Sequence, residues 1–289
     1  MLLRSPLVYS LLLLLLASPA SAGKDRNRPH GHRGILQAYE PGPFDVQLSP
    51  QDESLLAQGK PVMKQTLPGD NDEAGGGAIC VQDVQAPKEA VWNQILDLDS
   101  YKGKVPKVQT SQNYLVQKND DGSHTIKTRM VVGVMPGYSV RLLGVSTHYR
   151  PLDHHGLSHT HPPIQYESYY NHKFHAGANS MTWNLDYDKT SDFDDCAGHW
   201  HVEDHPTQPH HSRVFYACDI KLKGSVPGPI LNYISKAALK QATGWVKKES
   251  EEHKSLSMPS AFRDSTAVPE EAMAASSSGR PKLPSFLRQ

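Results

Sequence analysis

Histidine is the residue type in this chain with the most chemistry to offer. Twelve of the sixteen histidines lie between His148 and His211, and His154, His155, His159 and His161 crowd one stretch. Imidazoles at i, i+1, i+5 and i+7 have the donor type that Zn²⁺ and Cu²⁺ take. No H-E-x-x-H motif or paired-cysteine motif accompanies them, and Gly156, Pro162 and Pro163 interrupt the segment. Residues 150–163 therefore read as a solvated insertion, not a metal centre. His199, His201 and Glu203 alternate along one strand face, an alignment that suits a metal or a general base turned into a cavity. Their alternates Trp200 and Val202 are the natural inward pair, so the histidine row is expected to face solvent. Asp192, Asp194 and Asp195 offer carboxylates for Ca²⁺, but they lack EF-hand spacing and are expected to cap an inter-strand loop. No metal and no cofactor is expected. A nucleophile elbow is absent too, since no G-x-S-x-G occurs.

Side chains of this kind need a frame, and the hydrophobic periodicity supplies one. Residues 79–84 are β-rich, and Pro87 suits a first helical position. Ala90, Val91, Trp92, Ile95, Leu96 and Leu98 then recur at helical spacing. Residues 101–106 read as a short helical turn or a loop. Ile126, Thr128, Met130 and Val132 alternate with Lys127 and Arg129, the period of a half-buried antiparallel strand. Asp120-Asp121-Gly122 is the hairpin turn that pairs it with 113–118. Pro136-Gly137 opens another turn, and 138–147 keeps β character. Residues 164–170 and 181–187 resume the pattern, with Met181, Trp183, Leu185 and Tyr187 on one face.

Strands over 198–204 and 213–222 complete the set, and Val214, Tyr216, Cys218, Ile220 and Leu222 form an inner row. Pro227 and Pro229 introduce a long helix to about residue 253. In it Leu231, Ile234, Ala238, Ala242 and Trp245 make one stripe. A strand, a helix, about six or seven antiparallel strands and one long helix spell an α+β domain. Its curved antiparallel sheet wraps a long C-terminal helix.

That order carries motifs. Val91-Trp92 through Leu96-Asp97, then Asp99-Ser100-Tyr101 and Val105-Pro106, resemble the opening of START-like proteins. Trp183-Asn184-Leu185-Asp186-Tyr187, Ser191-Asp192-Phe193-Asp194-Asp195 and Gly198-His199-Trp200 are similar to that family's later part. So is Lys223-Gly224-Ser225-Val226-Pro227-Gly228 leading to Ala242-Thr243-Gly244-Trp245. The resemblance covers about 79–250 and is to the coenzyme-Q-binding, polyketide cyclase/dehydrase-like (SRPBCC) branch. The insertion over 150–163 departs from the pattern. The resemblance implies a helix-grip fold: seven antiparallel strands gripping the last helix around an apolar cavity for a lipid, quinone, sterol or polyketide.

Small Ala238 and Ala242 between larger Leu231, Ile234 and Trp245 leave volume that native packing density would otherwise fill. The facing lining comes from Trp92, Met130, Val132, Tyr166, Trp183, Leu185, Tyr216 and Cys218. Apolar walls with a few aromatic hydroxyls suit a hydrophobic ligand, although aromatics and Met at such spacing also serve as plain core. Two function classes follow. One is a carrier that binds a lipid, quinone or isoprenoid. The other is a cyclase or dehydratase using the same cavity. The second needs a titratable group aimed inward, and Arg129, Glu167, His199 and Asp219 are the nearest candidates. All four alternate onto the face opposite the apolar row, which weakens the enzyme reading. The helix-grip order makes first and last strands neighbours, so Cys80 and Cys218 are a candidate disulfide; three buried thiols, with Cys196, are the alternative.

Charge and ends bound the rest. Thirty Lys+Arg balance thirty Asp+Glu, which argues against the basic excess that nucleic-acid binding requires. The neutral total also removes a broad pull toward anionic membranes. The apolar segment 132–137 offers either a lid that touches a membrane transiently or an ordinary turn. Arg4, an apolar run over 7–17 and Ala20-Ser21-Ala22 make a secretory signal peptide cut after Ala22. An uncleaved anchor is the alternative. The chain is expected in the secretory pathway, with a plastid reached through the ER left open by basic residues 24–33. Residues 23–78 are expected to be a disordered linker with a short helix over 51–58. Residues 79–253 form the domain, and 254–289 a Ser/Pro-rich tail.

Overall fold

The computed structural model describes residues 25–65, 78–134, 164–224 and 228–263, without the side chains of 65, 78, 134, 164 and 228–238. The apolar leader, the glycine run at 75–77, the turn and strand expected over 136–147, the His-rich insertion and the tail beyond 263 lie outside the described residues. So do the side chains of Leu231, Ile234 and Ala238. Among the described residues four α-helices and eight strands follow in chain order. They are α1 Pro50–Ala57, β1 Val62–Gln65, β2 Ala78–Val84, α2 Lys88–Leu96, α3 Tyr101–Lys104, β3 Val108–Lys118, β4 His124–Val134, β5 Ile164–His175, β6 Ser180–Leu185, β7 Phe193–Asp204, β8 Ser212–Leu222 and α4 Gly228–Glu252. The strands form one antiparallel sheet in the order β1-β2-β8-β7-β6-β5-β4-β3. This is the α+β helix-grip arrangement: a curved sheet around a long C-terminal helix.

Register explains the two faces. Alternate residues of a strand point to opposite sides, and the pairs Tyr170↔Leu185, His172↔Trp183, Trp200↔Tyr216 and Tyr216↔Cys80 line up one face. That inner face meets α4 and α2. Its end nearest α2 is solid. Trp92 packs on Phe174 at 4.9 Å, and Phe174 meets Phe262 edge-on at 6.0 Å. Trp92, Ile95, Phe174 and Val202 are fully buried, each such side chain worth about 1.5–3 kcal/mol. Along the described side chains of α4 the buried residues are Leu239, Thr243, Trp245, Val246, Glu249 and Ser250, while Ala242 is half-buried. The buried stripe is thus broader than the one read from sequence and includes Leu239, Thr243 and Val246. Thr243 Oγ1 stands 3.3 Å from Cys80 Sγ, and Trp245 meets Tyr101 at 5.0 Å.

The outer face overturns an expectation. Residues 25–65, read as a disordered linker, form a strap across the sheet. They contribute α1 and an eighth strand, β1, paired with β2 through Val62↔Val81. Ser49 caps α1 in a reciprocal capping box with Asp52. Tyr39, Phe44, Val46 and Leu48 pack on a second core of Leu56, Val62, Ile79, Val81, Phe215 and Ala217. The physical reason is that Ile79, Val81, Phe215 and Ala217 alternate outward and need a cover. The strap's low hydrophobicity suffices because the sheet supplies the partner surface. The tail departs too: Phe262 is buried, closing the inner core beyond residue 253.

Polar pins fix the strap. Arg26 grips Asp192 with two N–H donors at 3.0 and 2.9 Å. Ile35 and Leu36 N–H donate to Asp195 at 2.7 and 2.8 Å. Tyr39 Oη donates to Asp219 at 2.7 Å, and Arg213 donates to Glu53 at 2.8 and 2.7 Å and to Asp83 at 2.7 Å. The acidic run expected to cap a loop therefore anchors the strap, and its Asp194 and Asp195 lie inside β7.

Two outcomes follow. The side chain of Arg33 is exposed and Gly34 follows it, yet trypsin should spare it in the native chain. Asp192→Ala should speed cleavage there roughly tenfold, since it removes a charge-assisted pair worth more than 1 kcal/mol. Cleavage of the wild type as fast as in urea would contradict a docked strap. At Gly198 the Trp183 indole lies where a Cβ would stand. Gly198→Ala is expected to lower unfolding free energy by roughly 2–3 kcal/mol in a denaturant titration.

Candidate functional site

The inner face is not uniform along its length. Toward α2 it is closed, but toward the start of α4 its apolar residues stay half-buried: Met130, Val132, Tyr166, Phe193, Tyr216, Cys218 and Ile220. Tyr166 stacks on Phe193 at 5.5 Å. Trp183 stacks on Tyr216 at 5.7 Å, and Trp200 packs on Tyr216 at 4.1 Å. Chain connectivity explains the gradient. β8 ends at Leu222 and α4 starts at Gly228, so the helix enters at this end and runs toward the solid end. Of the lining read from sequence, Trp92, Trp183, Leu185 and Trp245 are buried core residues. Met130, Val132, Tyr166, Tyr216, Cys218 and Ala242 are half-buried.

The strand side of this end carries no formal charge. Over 126–132, 166–172, 183–185, 196–198 and 216–222 no inward strand residue is Asp, Glu, Lys or Arg. The charges sit on the outer face instead. Arg129 Nε donates to Glu167 at 2.7 Å, and Tyr169 Oη donates to the same carboxylate oxygen at 2.8 Å. Burial opposes ionisation of Glu167, but these donors and Arg26 hold its carboxyl below the usual range. Arg129, Glu167, His199 and Asp219 thus lie away from the half-buried end. They brace the sheet and strap.

His199 and His201 correct the expectation of a solvent-facing row. Both are buried, because Phe44 of the strap covers His199 with ring centroids 4.3 Å apart. Burial lowers the His199 pKa to about 4, helped by its neighbour His201. His199 Nε2 and His201 Nδ1 find no hydrogen-bond partner.

Three polar residues of β5 that the sequence reading did not single out share the inner face with Tyr166: Ser168, Tyr170 and His172. Period two from Tyr166 was the signal available. Ser168 is 1% exposed, and its Oγ is unpartnered. It lies beside the Tyr170 phenol without hydrogen-bond geometry. His172 Nδ1–H donates to the Ile126 carbonyl at 3.2 Å, which leaves the lone pair on Nε2. Burial lowers its pKa to about 4, so the ring is neutral at neutral pH. Burial also raises the Tyr170 and Tyr216 pKa values.

Cys196 and Cys218 face each other with Sγ atoms 3.9 Å apart on adjacent strands, and all three cysteines are free. Cys80 lies opposite Tyr216, not Cys218. The Cys218 interaction and burial raise the Cys196 thiol pKa.

Among the described residues two groups bring metal-type donors together. In one, His30 Nε2–H donates to the Asp194 carbonyl at 2.8 Å, and its Nδ1 accepts from Ser191 N–H at 3.4 Å. His32 Nδ1 accepts from Gly34 N–H at 3.1 Å. These rings hold the strap. In the other, Lys248 reaches Glu249 at 2.8 Å and Glu252 at 3.4 Å, so the carboxylates already have a cation. No described helix is long and apolar enough to cross a membrane.

No family model matches the sequence, and no curated protein matches it. Solved structures do resemble it at low identity. A START superfamily protein from Mycobacterium smegmatis aligns at 14% identity and TM-score 0.43, over 61% of this chain and 98% of its own. The Zhui aromatase/cyclase from Streptomyces sp. R1128 aligns at 11% and 0.41, over 66% and 96%. A STAR-related lipid transfer protein from Xanthomonas axonopodis aligns at 11% and 0.41, over 65% and 98%.

The histidines generate a pH dependence. His172 and His199 have folded pKa values near 4, below the unfolded value of about 6.5. Protons therefore bind the unfolded chain more tightly. Stability should be complete above about pH 6.5 and fall as pH drops toward 4, by up to about 1.4 kcal/mol per pH unit for each ring. Urea titrations at pH 7.5, 6 and 5 check this. His199→Gln should reduce the slope, and an unchanged slope would remove His199 from the account.

Proposed function

We propose that this chain binds and carries a neutral hydrophobic small molecule, a lipid, quinone or isoprenoid, between the inner face of its sheet and the first half of α4. The observation that carries the reading is the half-buried, charge-free apolar lining at the entry end of α4, set against a fully packed core at the other end. Apolar side chains left half-covered on a concave surface lose contact energy unless something occupies the space beside them. The absence of charge from the inward strand positions favours an uncharged occupant, because an ion there would be desolvated without a partner. The resemblance of the motifs to START-like proteins supports the same reading. The solved structures that resemble the chain include a lipid transfer protein and an aromatase/cyclase.

A carrier is favoured over a cyclase or dehydratase because Arg129, Glu167, His199 and Asp219 lie on the outer face. Burial also makes the inward His172 imidazole a weak base, with its Nδ1–H tied to the Ile126 carbonyl. Arg129 and Glu167 pair with each other on the outer face, and Asp219 accepts from Tyr39 there. Entry through the secretory pathway, with the leader removed after Ala22, belongs to the same proposal. N-terminal sequencing of the exported chain would begin at Gly23; a start at Met1 contradicts it.

The test is native mass spectrometry of the full chain, followed by organic extraction. A neutral apolar adduct released by solvent is expected. Met130→Trp, which fills the half-buried end, should lower its occupancy at least about fivefold while the fold tolerates the added volume at a cost of about 1–3 kcal/mol. A chain that is always empty and takes up no apolar probe would overturn the proposal.

A further inference from the structure

The polar groups of β5 point to the ligand's chemistry. Ser168, Tyr170 and His172 occupy successive inward positions, opposite Met130, Thr128 and Ile126 of β4. Ser168 Oγ is buried and unpartnered. The Tyr170 hydroxyl has the Ser168 side chain beside it, no described residue hydrogen-bonds His172 Nε2, and His172 Nδ1–H is fixed on the Ile126 carbonyl. The Tyr170 and His172 rings are neighbours, with centroids 5.9 Å apart. Buried polar groups in native proteins are satisfied by protein, water or ligand, and leaving one unmet is costly. This track holds two hydroxyls that can donate and one imidazole lone pair that can only accept.

We propose that Ser168, Tyr170 and His172 hold the hydroxyl group of a neutral apolar alcohol or phenol. The proposal rests on the ligand-binding reading above and deepens it. A hydroxyl donates once and accepts up to twice, so it can donate to His172 Nε2 while accepting from Ser168 or Tyr170. A carbonyl accepts from the two hydroxyls but leaves His172 unmet. A carboxylate would need a cation, and the inward strand positions around the track hold no Lys or Arg. Burial keeps His172 neutral and therefore an acceptor. The apolar body of the ligand then extends along Met130, Val132, Tyr166 and Phe193 toward the half-buried end.

The experiment uses the full chain loaded with N-phenyl-1-naphthylamine, a neutral apolar fluorophore. It is displaced by farnesol, farnesyl methyl ether or farnesene. Farnesol is expected to displace it at concentrations roughly tenfold below the ether, because only the alcohol can donate. In Ser168→Ala and in His172→Phe that gap should shrink to about twofold or less while the fluorophore still binds. Equal displacement by alcohol and ether in the wild type overturns the proposal, and so does a gap that survives in both variants. If circular dichroism shows His172→Phe unfolded, Ser168→Ala decides alone: a lost gap supports the track and a retained one overturns it. Failure of the wild type to bind the fluorophore overturns the ligand-binding reading, and this inference with it.

Discussion

A sheet whose strands are apolar on both sides must be covered on both sides, and every other feature of this fold answers to that constraint. Ile79, Val81, Phe215 and Ala217 point one way; Trp183, Trp200, Val202 and Val214 point the other. The long helix and α2 cover the second set. The strap formed by residues 25–65 covers the first, held by the carboxylates of Asp192 just before β7, Asp195 in β7 and Asp219 in β8. Charge and cover thus coincide: the outer face carries Asp192, Asp195, Asp219 and Arg213 because the strap needs pins there. The inward strand positions at the half-buried end carry no Asp, Glu, Lys or Arg.

The inner face itself has two regimes. A packed end is built on Trp92, Phe174 and Phe262, and at the other end Met130, Tyr166, Phe193 and Ile220 stay half-buried. Gly198 contributes by letting Trp183 lie flat against the sheet. The polar track of β5 runs between the two regimes, where water is scarce and a single hydrogen bond counts for most.

Much of this was legible in the sequence. Period-two alternation identified the inward rows of β4, β6 and β8, and Pro87 with the Val91–Trp92 stripe located α2. The placement of Arg129, Glu167 and Asp219 away from the apolar row followed from the same alternation. What escaped is instructive. The strap has no periodicity, because Tyr39, Phe44, Val46 and Leu48 sit in extended chain whose partners are far away in sequence. Pro/Gly punctuation there marks a segment that follows a surface, not one that lacks structure. His199 and His201 were misread for the same reason: alternation gave their side of the sheet correctly, but not what lay on it. On α4 the residues Thr243 and Val246 were missed because a threonine breaks an apolar stripe by type, although its hydroxyl is satisfied by Cys80 and its own helix. Ser168 and His172 were passed over as polar residues in a row already counted as apolar.

The central claim is that the half-buried inner end, and not the strap side, receives the ligand. Methyl-resolved NMR of the full chain with added N-phenyl-1-naphthylamine tests it most directly. Intermolecular NOEs from the ring protons to the methyls of Met130 and Ile220 are predicted, with none to Ile79 or Val81. NOEs to Ile79 and Val81 alone, or to no methyl, would contradict the account.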